Sequence, residues 1–160
     1  MSTEALSQGY KTFENLDVYN AARDFRQKMY GVAQKLLEFQ KYVLADQVRR
    51  AALALTNNIA EGHGRFHHLD RIKFMLLARG ALEELLDDLN TCQDHSYLPV
   101  HEIELLRQES WAVHKLINGY IRFLRGRVQE SPEKEQLAQA ELRDLFFGLF
   151  NSSTRQRFND

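Results

Sequence analysis

The sequence predicts an all-α protein: an antiparallel up-down four-helix bundle with a short extra C-terminal helix. Two observations carry this prediction. Four long segments repeat apolar residues at steps of three and four, which is the period of one helix face, and short turns separate them. No segment shows the alternating period of a half-buried strand. The 160 residues suit a single domain, and a hydrophobic content of 44% is sufficient for a core.

The four predicted helices follow one another closely. A flexible arm of residues 1–14 precedes the first helix, at about 15–39. The second helix runs from about Val43 to Glu61, the third from about Leu69 to Asp94, and the fourth from about Val100 to Arg125. Short connections between long amphipathic helices make neighbours antiparallel, so the bundle is expected to occupy residues 15–126.

The apolar pattern breaks from Gly126 to Glu130, where the C-terminal region of residues 127–160 begins. "SPEKE" then has the features of a helix start, with Ser131 at the N-cap and proline at the first helical position. We therefore expect a fifth helix at about 132–149, followed by a loose tail. Three phenylalanines crowd the end of this helix and form a candidate partner-binding surface: Phe146, Phe147 and Phe150.

Charge and cysteine content exclude several classes of protein. The formal net charge is −1, which argues against a protein that coats nucleic acid with its whole surface. The charge is uneven, with a net +4 in residues 1–80 and −5 in residues 81–160. A single cysteine leaves no intramolecular disulfide and suits a reducing cytoplasm. No secretory signal or membrane span is recognisable, so the predicted location is cytoplasmic.

The stretch "NNIAEGHGR" joins the second and third helices. Gly62 and Gly64 are expected to take the left-handed conformation that ends the second helix. Asn58, Glu61 and Arg65 would then hold the turn against the third helix.

Two residues of the third helix are also assigned structural roles. Arg79 lies on the flank of the apolar face, where a charge needs a partner, and Glu61 or Glu83 is expected to form a salt bridge with it. Gly80 predicts a tight helix crossing, because a mid-helix glycine costs about 1 kcal/mol relative to alanine.

Catalytic and metal-binding patterns are weak. No histidine follows an acidic residue by three positions, as the di-iron sites of helical bundles require. A zinc site at His63, His67 and His68 has no Cys or carboxylate at a helpful spacing nearby except Glu61 and Asp70, and no nucleophile motif occurs. Arg107 and His114 have a spacing that resembles the Arg…His pair of HEPN ribonucleases, and this remains a third, weak hypothesis. We predict no enzyme, no cofactor and no metal.

A family resemblance rests on two long stretches, "LADQVRRAALALTNNIAEGHGR" (Leu44–Arg65) and "RIKFMLLARGALEEL" (Arg71–Leu85). They resemble the four helix bundle family that includes the proteins encoded by intervening sequences in 23S rRNA genes. That family is related to the accessory variability determinant of diversity-generating retroelements. Asn57 and Ala81 stand where the family usually has serine. The matching residues with an expected structural role are Asn58, Glu61, Gly62, Gly64, Arg65, Arg79, Gly80 and Glu84.

The resemblance implies a four-helix protomer that commonly forms a homopentamer and has no known catalytic activity. The retroelement relatives use a basic surface to bind nucleic acid and a reverse transcriptase. The predicted function is therefore a non-enzymatic oligomeric scaffold that binds structured RNA or DNA, or a partner such as a reverse transcriptase. The candidate nucleic-acid-binding residues are Arg23, Arg26, Arg49, Arg50, Arg65, His67, His68, Arg71 and Lys73.

An alternative hypothesis is a protein-only interaction hub. It would use the acidic third helix, where "EELLDDLNTCQD" holds five acids and no base, together with the phenylalanine-rich fifth helix.

Overall fold

The computed structural model describes residues 12–39 and 41–130, together with 136, 137, 140 and 143. These residues contain helices and no strand, which confirms the all-α prediction. A short 3₁₀ helix (Phe13–Asn15) leads into the bundle. The four long helices are α1 (Asp17–Glu38), α2 (Tyr42–His63), α3 (His68–Asp94) and α4 (Val100–Glu130).

The helices pack in the predicted order. Each helix packs against the next one in the chain, and α4 closes the bundle by packing against α1. Because the connections are short, neighbouring helices run antiparallel. The bundle therefore has two ends. We call the one that holds the α2–α3 turn, the start of α1 and the end of α4 the turn end, and the other the far end.

The core follows the predicted apolar stripes. Along α1 the buried side chains run from Val18 to Leu36 at steps of mainly three and four. In α2, Ala45 is buried, and Leu44 packs partly buried against the core. Ser110, the polar gap in the stripe of α4, is buried and donates its hydroxyl to the carbonyl oxygen of Arg107 at 2.7 Å.

The predicted boundaries at the two ends of the bundle differ from those in the structure. The last residues of the predicted arm belong to the fold: Thr12 caps the 3₁₀ helix, and Phe13 meets Tyr19 edge to face at 4.7 Å between ring centroids. Helix α4 continues through Gly126 to Glu130, so the predicted break at Gly126 is wrong. The predicted fifth helix and its phenylalanines lie outside the described residues, apart from four helical positions at 136, 137, 140 and 143.

The prediction that Gly62 and Gly64 are left-handed in the α2–α3 turn is wrong. Gly64 has φ −71° and ψ −10°, in the right-handed region, and no described glycine has a positive φ. Gly62 has a different role, because it lets α3 approach α2 closely. A Cβ at this position would lie 2.8 Å from the Cβ of Phe74.

Arg65 fastens the turn to α3. It pairs with Glu61 one helical turn earlier, and its guanidinium lies over the ring of Phe74 at 4.6 Å. The Nε of Arg71 donates to the carbonyl oxygen of Arg65 at 2.7 Å. Asn58 does not reach α3, since its amide donates to the carbonyl oxygen of Ala54 within α2.

Gly80 has no tight crossing within this chain. Nothing lies within 4 Å of the position that a Cβ would take, and the residue is exposed on the outer side of α3. Its helix penalty therefore has no explanation in the packing of the single chain.

A buried carboxylate joins α2 to α3 near the far end. Asp88 is 2% exposed, and its Oδ1 accepts a hydrogen bond from Gln47 at 2.8 Å. Its Oδ2 has no hydrogen-bond partner among the described residues. Burial raises the pKa of Asp88 to about 6, against a lowering by the Gln47 hydrogen bond. Burial likewise raises the pKa of the nearby Cys92 thiol to about 11.

We expect Gly62→Ala to destabilise the protein by about 1–3 kcal/mol, since a methyl group cannot enter the contact with Phe74 without moving a helix. Urea unfolding measures this change. Gly31→Ala is the matched control, because Gly31 is helical and has nothing within 4 Å of its Cβ position. That variant should be as stable as the wild type or up to about 1 kcal/mol more stable. Equal stabilities for the two variants would contradict the close approach.

We expect Asp88→Asn to stabilise the protein at neutral pH and not at pH 4. The folded-state pKa of about 6 lies above the unfolded value of 3.8, so between these values the folded state binds more protons. The stability of the wild type therefore falls as pH rises through this window, by roughly 3 kcal/mol in total. Asparagine keeps the acceptor for Gln47 and carries no charge. Unfolding curves at pH 4, 6 and 8 measure the difference, and a gap that is the same at every pH would refute this account.

Candidate nucleic-acid interface

Charge separates along the length of the bundle. The half at the turn end (residues 12–27, 53–81 and 116–130) holds nine Lys/Arg and six Asp/Glu. The rest of the bundle holds seven Lys/Arg and ten Asp/Glu, in residues 28–39, 41–52 and 82–115. The sequence showed this polarity as a difference between the first and second halves of the chain. In the fold, the basic end of α4 joins the basic α2–α3 turn, so the turn end has a net charge of +3 and the rest of the bundle a net charge of −3.

The predicted basic residues do not form one surface. Arg50 is exposed, pairs with Asp46 at 3.3 Å and lies with Arg49 in the half of α2 nearer the far end. Arg23 and Lys73 are exposed towards the turn end. His67 is 3% exposed at the N-cap of α3, so its predicted place on a binding surface is wrong, and His68 is half-buried.

Three of the predicted arginines serve the fold. Arg26 is half-buried and donates to the hydroxyl of Thr56 at 2.9 Å, which joins α1 to α2. Arg65 and Arg71 hold the α2–α3 turn as described above. Arg71 also lies near His63, and together with burial it lowers the pKa of that histidine, with burial the larger cause.

A basic groove runs between α3 and α4. It has a volume of about 560 Å³ and is lined by the side chains of Arg79, Trp111, His114, Lys115, Asn118, Ile121, Arg122 and Arg125. Four of these eight residues are cationic and none is acidic. Because α3 and α4 are antiparallel, residues far apart in the chain meet here along one side of the bundle.

The cations on α4 are free to meet an anion. None of Lys115, Arg122 and Arg125 forms an ion pair within the described ranges 12–39 and 41–130, whereas Arg127 pairs with Glu130 at 3.2 Å. Nζ of Lys115 instead lies over the ring of Trp111, 5.6 Å from its centroid.

Hydrogen bonds order the wall of the groove. Arg79 donates to Oδ1 of Asn118 at 3.1 Å, and Nδ2 of Asn118 lies 3.1 Å from Nδ1 of His114. If that amide donates, the ring proton is on Nε2, which faces Glu83 at 3.5 Å. The predicted salt bridge of Arg79 with Glu61 or Glu83 is therefore wrong. Arg79 connects α3 to α4, while Glu61 pairs with Arg65 in the turn.

Arg107 and His114, the ribonuclease-like pair, both face α3 but have separate partners. Arg107 donates to Asn90 and Gln93, near the far end of α3. His114 stacks on Trp111, with 5.4 Å between ring centroids and 9° between planes.

Sequence reasoning missed the α4 cations and the tryptophan of the groove. Lys115 and Arg122 are seven positions apart, and Arg125 is three further on, so the helical period alone places them on neighbouring faces of α4. Trp111, one turn before Lys115, extends the same line. This spacing was available as a signal, but the negative net charge of the second half of the chain concealed it.

The fold and the groove define a small all-α bundle protein with a basic, aromatic-edged surface. Among residues 12–39 and 41–130, no three His, Cys, Asp or Glu side chains gather where they could hold a metal ion. No helix within these ranges is both long and apolar enough to cross a bilayer.

The chain belongs to the family of 23S rRNA-intervening sequence proteins, whose sequence pattern matches residues 14–119. Among solved structures, it is similar to the crystal structure of a protein of unknown function from the S23 ribosomal protein family of Bacteroides thetaiotaomicron. That alignment has a TM-score of 0.62 at 21% identity and covers 65% of this chain and 97% of the other. At this identity the similarity supports the fold alone. No protein of curated function matches the sequence.

Proposed function

We propose that this protein is a non-enzymatic oligomeric scaffold that binds nucleic acid through the groove between α3 and α4. The observation that carries the proposal is the set of unpaired cations Lys115, Arg122 and Arg125, with Arg79 on the opposite wall. A row of cations suits a ligand that carries a row of phosphates, as nucleic acid does. Arginine binds a phosphate with two parallel hydrogen bonds. The family description refers to a ribosomal RNA gene, and RNA is accordingly the first ligand to test.

The separation of charge explains how a protein of net charge −1 would bind a polyanion. Only the turn end and the groove would attract phosphate, and the acidic far end would repel it. Binding would then be confined to one part of the surface. A reverse transcriptase partner, which the retroelement resemblance suggested, remains a prediction.

A second feature supports oligomer formation. Leu69, Leu76 and Gly80 lie along the outer side of α3, with Leu77 beside them; the three leucines are 44%, 38% and 51% exposed. Their spacing of seven, eight and eleven residues from Leu69 places them on one outward stripe. An apolar stripe around a glycine without a neighbour suits a helix from another copy, because small residues allow close approach.

The charge of the exposed residues changes along α3 past the stripe. Lys73 lies near the start of the stripe, and Glu83, Glu84 and Asp87 lie beyond its end at Gly80. Such polarity suits contact between identical subunits, with the pentamer of the family resemblance as the expected form. The alternative is a protein-only hub that uses the acidic third helix. Asp88 is buried in the core, so it cannot belong to such an acidic surface. Its phenylalanine surface, Phe146, Phe147 and Phe150, lies outside the described residues.

The binding proposal is tested with the double variant Arg122→Glu/Arg125→Glu. We expect the wild type to bind a labelled RNA stem–loop in fluorescence anisotropy and to bind it much more weakly at about 200 mM salt than at about 50 mM. The double variant should lose most of this binding, and the slope of log K against log salt should become less negative by roughly 0.7–0.9 for each lost phosphate contact.

The matched control is Arg49→Glu/Arg50→Glu, which makes the same change in net charge in the half nearer the far end. It should retain binding. Equal losses in the two double variants would indicate a response to net charge alone and would refute the groove. Gel analysis of the titrated RNA also tests the ribonuclease hypothesis, since cleavage that depends on Arg107 and His114 would contradict a non-enzymatic role.

The oligomer proposal is tested with Leu76→Glu. A charge in the middle of the outer stripe should reduce the molar mass measured by light scattering after size exclusion, because a carboxylate cannot be buried unpaired in a subunit contact. Leu105→Glu is the control: Leu105 is 56% exposed on α4, away from the stripe, and the variant should keep the wild-type mass. A wild-type protein that is monomeric at micromolar concentration would refute the proposal.

A further inference from the structure

We propose that the α3–α4 groove binds single-stranded nucleic acid, with an unpaired base stacked on Trp111 and the neighbouring phosphates held by Lys115, Arg122 and Arg125. This inference rests on the proposed function and narrows its ligand to a strand whose bases are open.

Trp111 is the observation that separates a single strand from a duplex. Trp111 is 58% exposed and contributes little to the core, although its ring has a large apolar area. In a duplex, both faces of each base are covered by neighbouring bases, so an aromatic ring has no face to stack on. In a single strand, base–aromatic stacking is worth about 1–3 kcal/mol per base and tolerates any sequence.

The indole ring is held in place before any ligand arrives. His114 stacks nearly parallel to it, and Asn118 and Glu83 hold His114 from two sides. Asn118 is in turn fixed by Arg79 across the groove. A ring that is already oriented loses less conformational entropy on binding, which favours affinity. This chain of contacts also explains why polar residues rather than apolar ones line the groove beside the ring.

The cations lie on a track that starts at the ring. Along α4, Lys115 is about 6 Å from Trp111, Arg122 is about 10 Å further, and Arg125 about 5 Å beyond that, at 1.5 Å per residue. An extended strand of a few nucleotides would cover this length. Lys115 contacts the ring in the free protein, and its flexible side chain can exchange this contact for a phosphate. Stacking and phosphate contacts together are the usual means of binding single strands without sequence preference.

The chain contains one tryptophan, so its fluorescence reports on Trp111 alone. We would titrate the full-length protein with oligo(U) of about 12 nucleotides, a length within the range of known single-strand sites. The comparison ligands are a duplex of the same length and inorganic polyphosphate, which has charge and no bases. Oligo(U) should quench the tryptophan emission and bind several-fold more tightly than the duplex, while polyphosphate should bind without comparable quenching.

Variants separate stacking from charge. Trp111→Ala should weaken oligo(U) binding in anisotropy by roughly 5- to 150-fold, the equivalent of one base stack, and leave polyphosphate binding unchanged. Trp111→Phe keeps a ring and should recover part of the affinity. Phe66→Ala removes an aromatic residue that is 82% exposed at the α2–α3 turn. It should leave the binding of both oligo(U) and polyphosphate unchanged. Oligo(dT) in place of oligo(U) shows whether the strand must be RNA: equal affinity indicates binding through bases and phosphates alone, and preference for oligo(U) indicates an added contact to the 2′-hydroxyl.

The two proposals fail in different ways. Equal binding of oligo(U) and duplex, with no quenching and no effect of Trp111→Ala, would overturn the single-strand inference. The proposed function would still stand if Arg122→Glu/Arg125→Glu abolished binding in that case. Binding that survives the double charge reversal would overturn both.

Discussion

The close approach of α2 and α3 at Gly62 is the constraint on which the rest of the structure depends. With no side chain at this position, the Cβ of Phe74 can lie against the α2 backbone, and the ring of Phe74 then supports the guanidinium of Arg65. The carbonyl oxygen of Arg65 accepts from Arg71. Arg71 lies near Tyr120. Burial raises the pKa of Tyr120, and the positive charge of Arg71 opposes this with a smaller lowering. One glycine thus sets the turn, and the turn connects to the end of α4.

The antiparallel arrangement converts a charge difference along the chain into one along the bundle. The second half of the sequence is acidic overall, yet its most basic stretch, the end of α4, lies beside the basic α2–α3 turn. The cations of α4 therefore lie opposite Arg79 of α3, which donates to Asn118 of α4 across the groove. Asp88 differs from these exposed cations, because its carboxylate is buried in the core and its pKa is raised by that burial.

Much of the fold could be predicted because apolar period and turn chemistry are local properties. All four helices begin within two residues of their predicted starts, and the stripe of α1 is buried as expected. The misses come from competing effects. Gly126 was read as a helix end, but a single glycine costs only about 1 kcal/mol and a 31-residue helix tolerates it. Gly64 was read as left-handed, but the right-handed turn continues past it, and the N–H of Arg65 donates to the carbonyl oxygen of Gly62.

The sequence by itself determined the helices, their order and their family, because each depends on residues close together in the chain. Only the tertiary structure decided which charges share a surface. Arg26 and Arg71 have the same chemistry as Arg122 and Arg125, but the first two are used in contacts between elements and the last two are left open in a groove. The partner of a long side chain lies tens of residues away, as Asn118 does for Arg79, and period alone does not specify distances across a bundle.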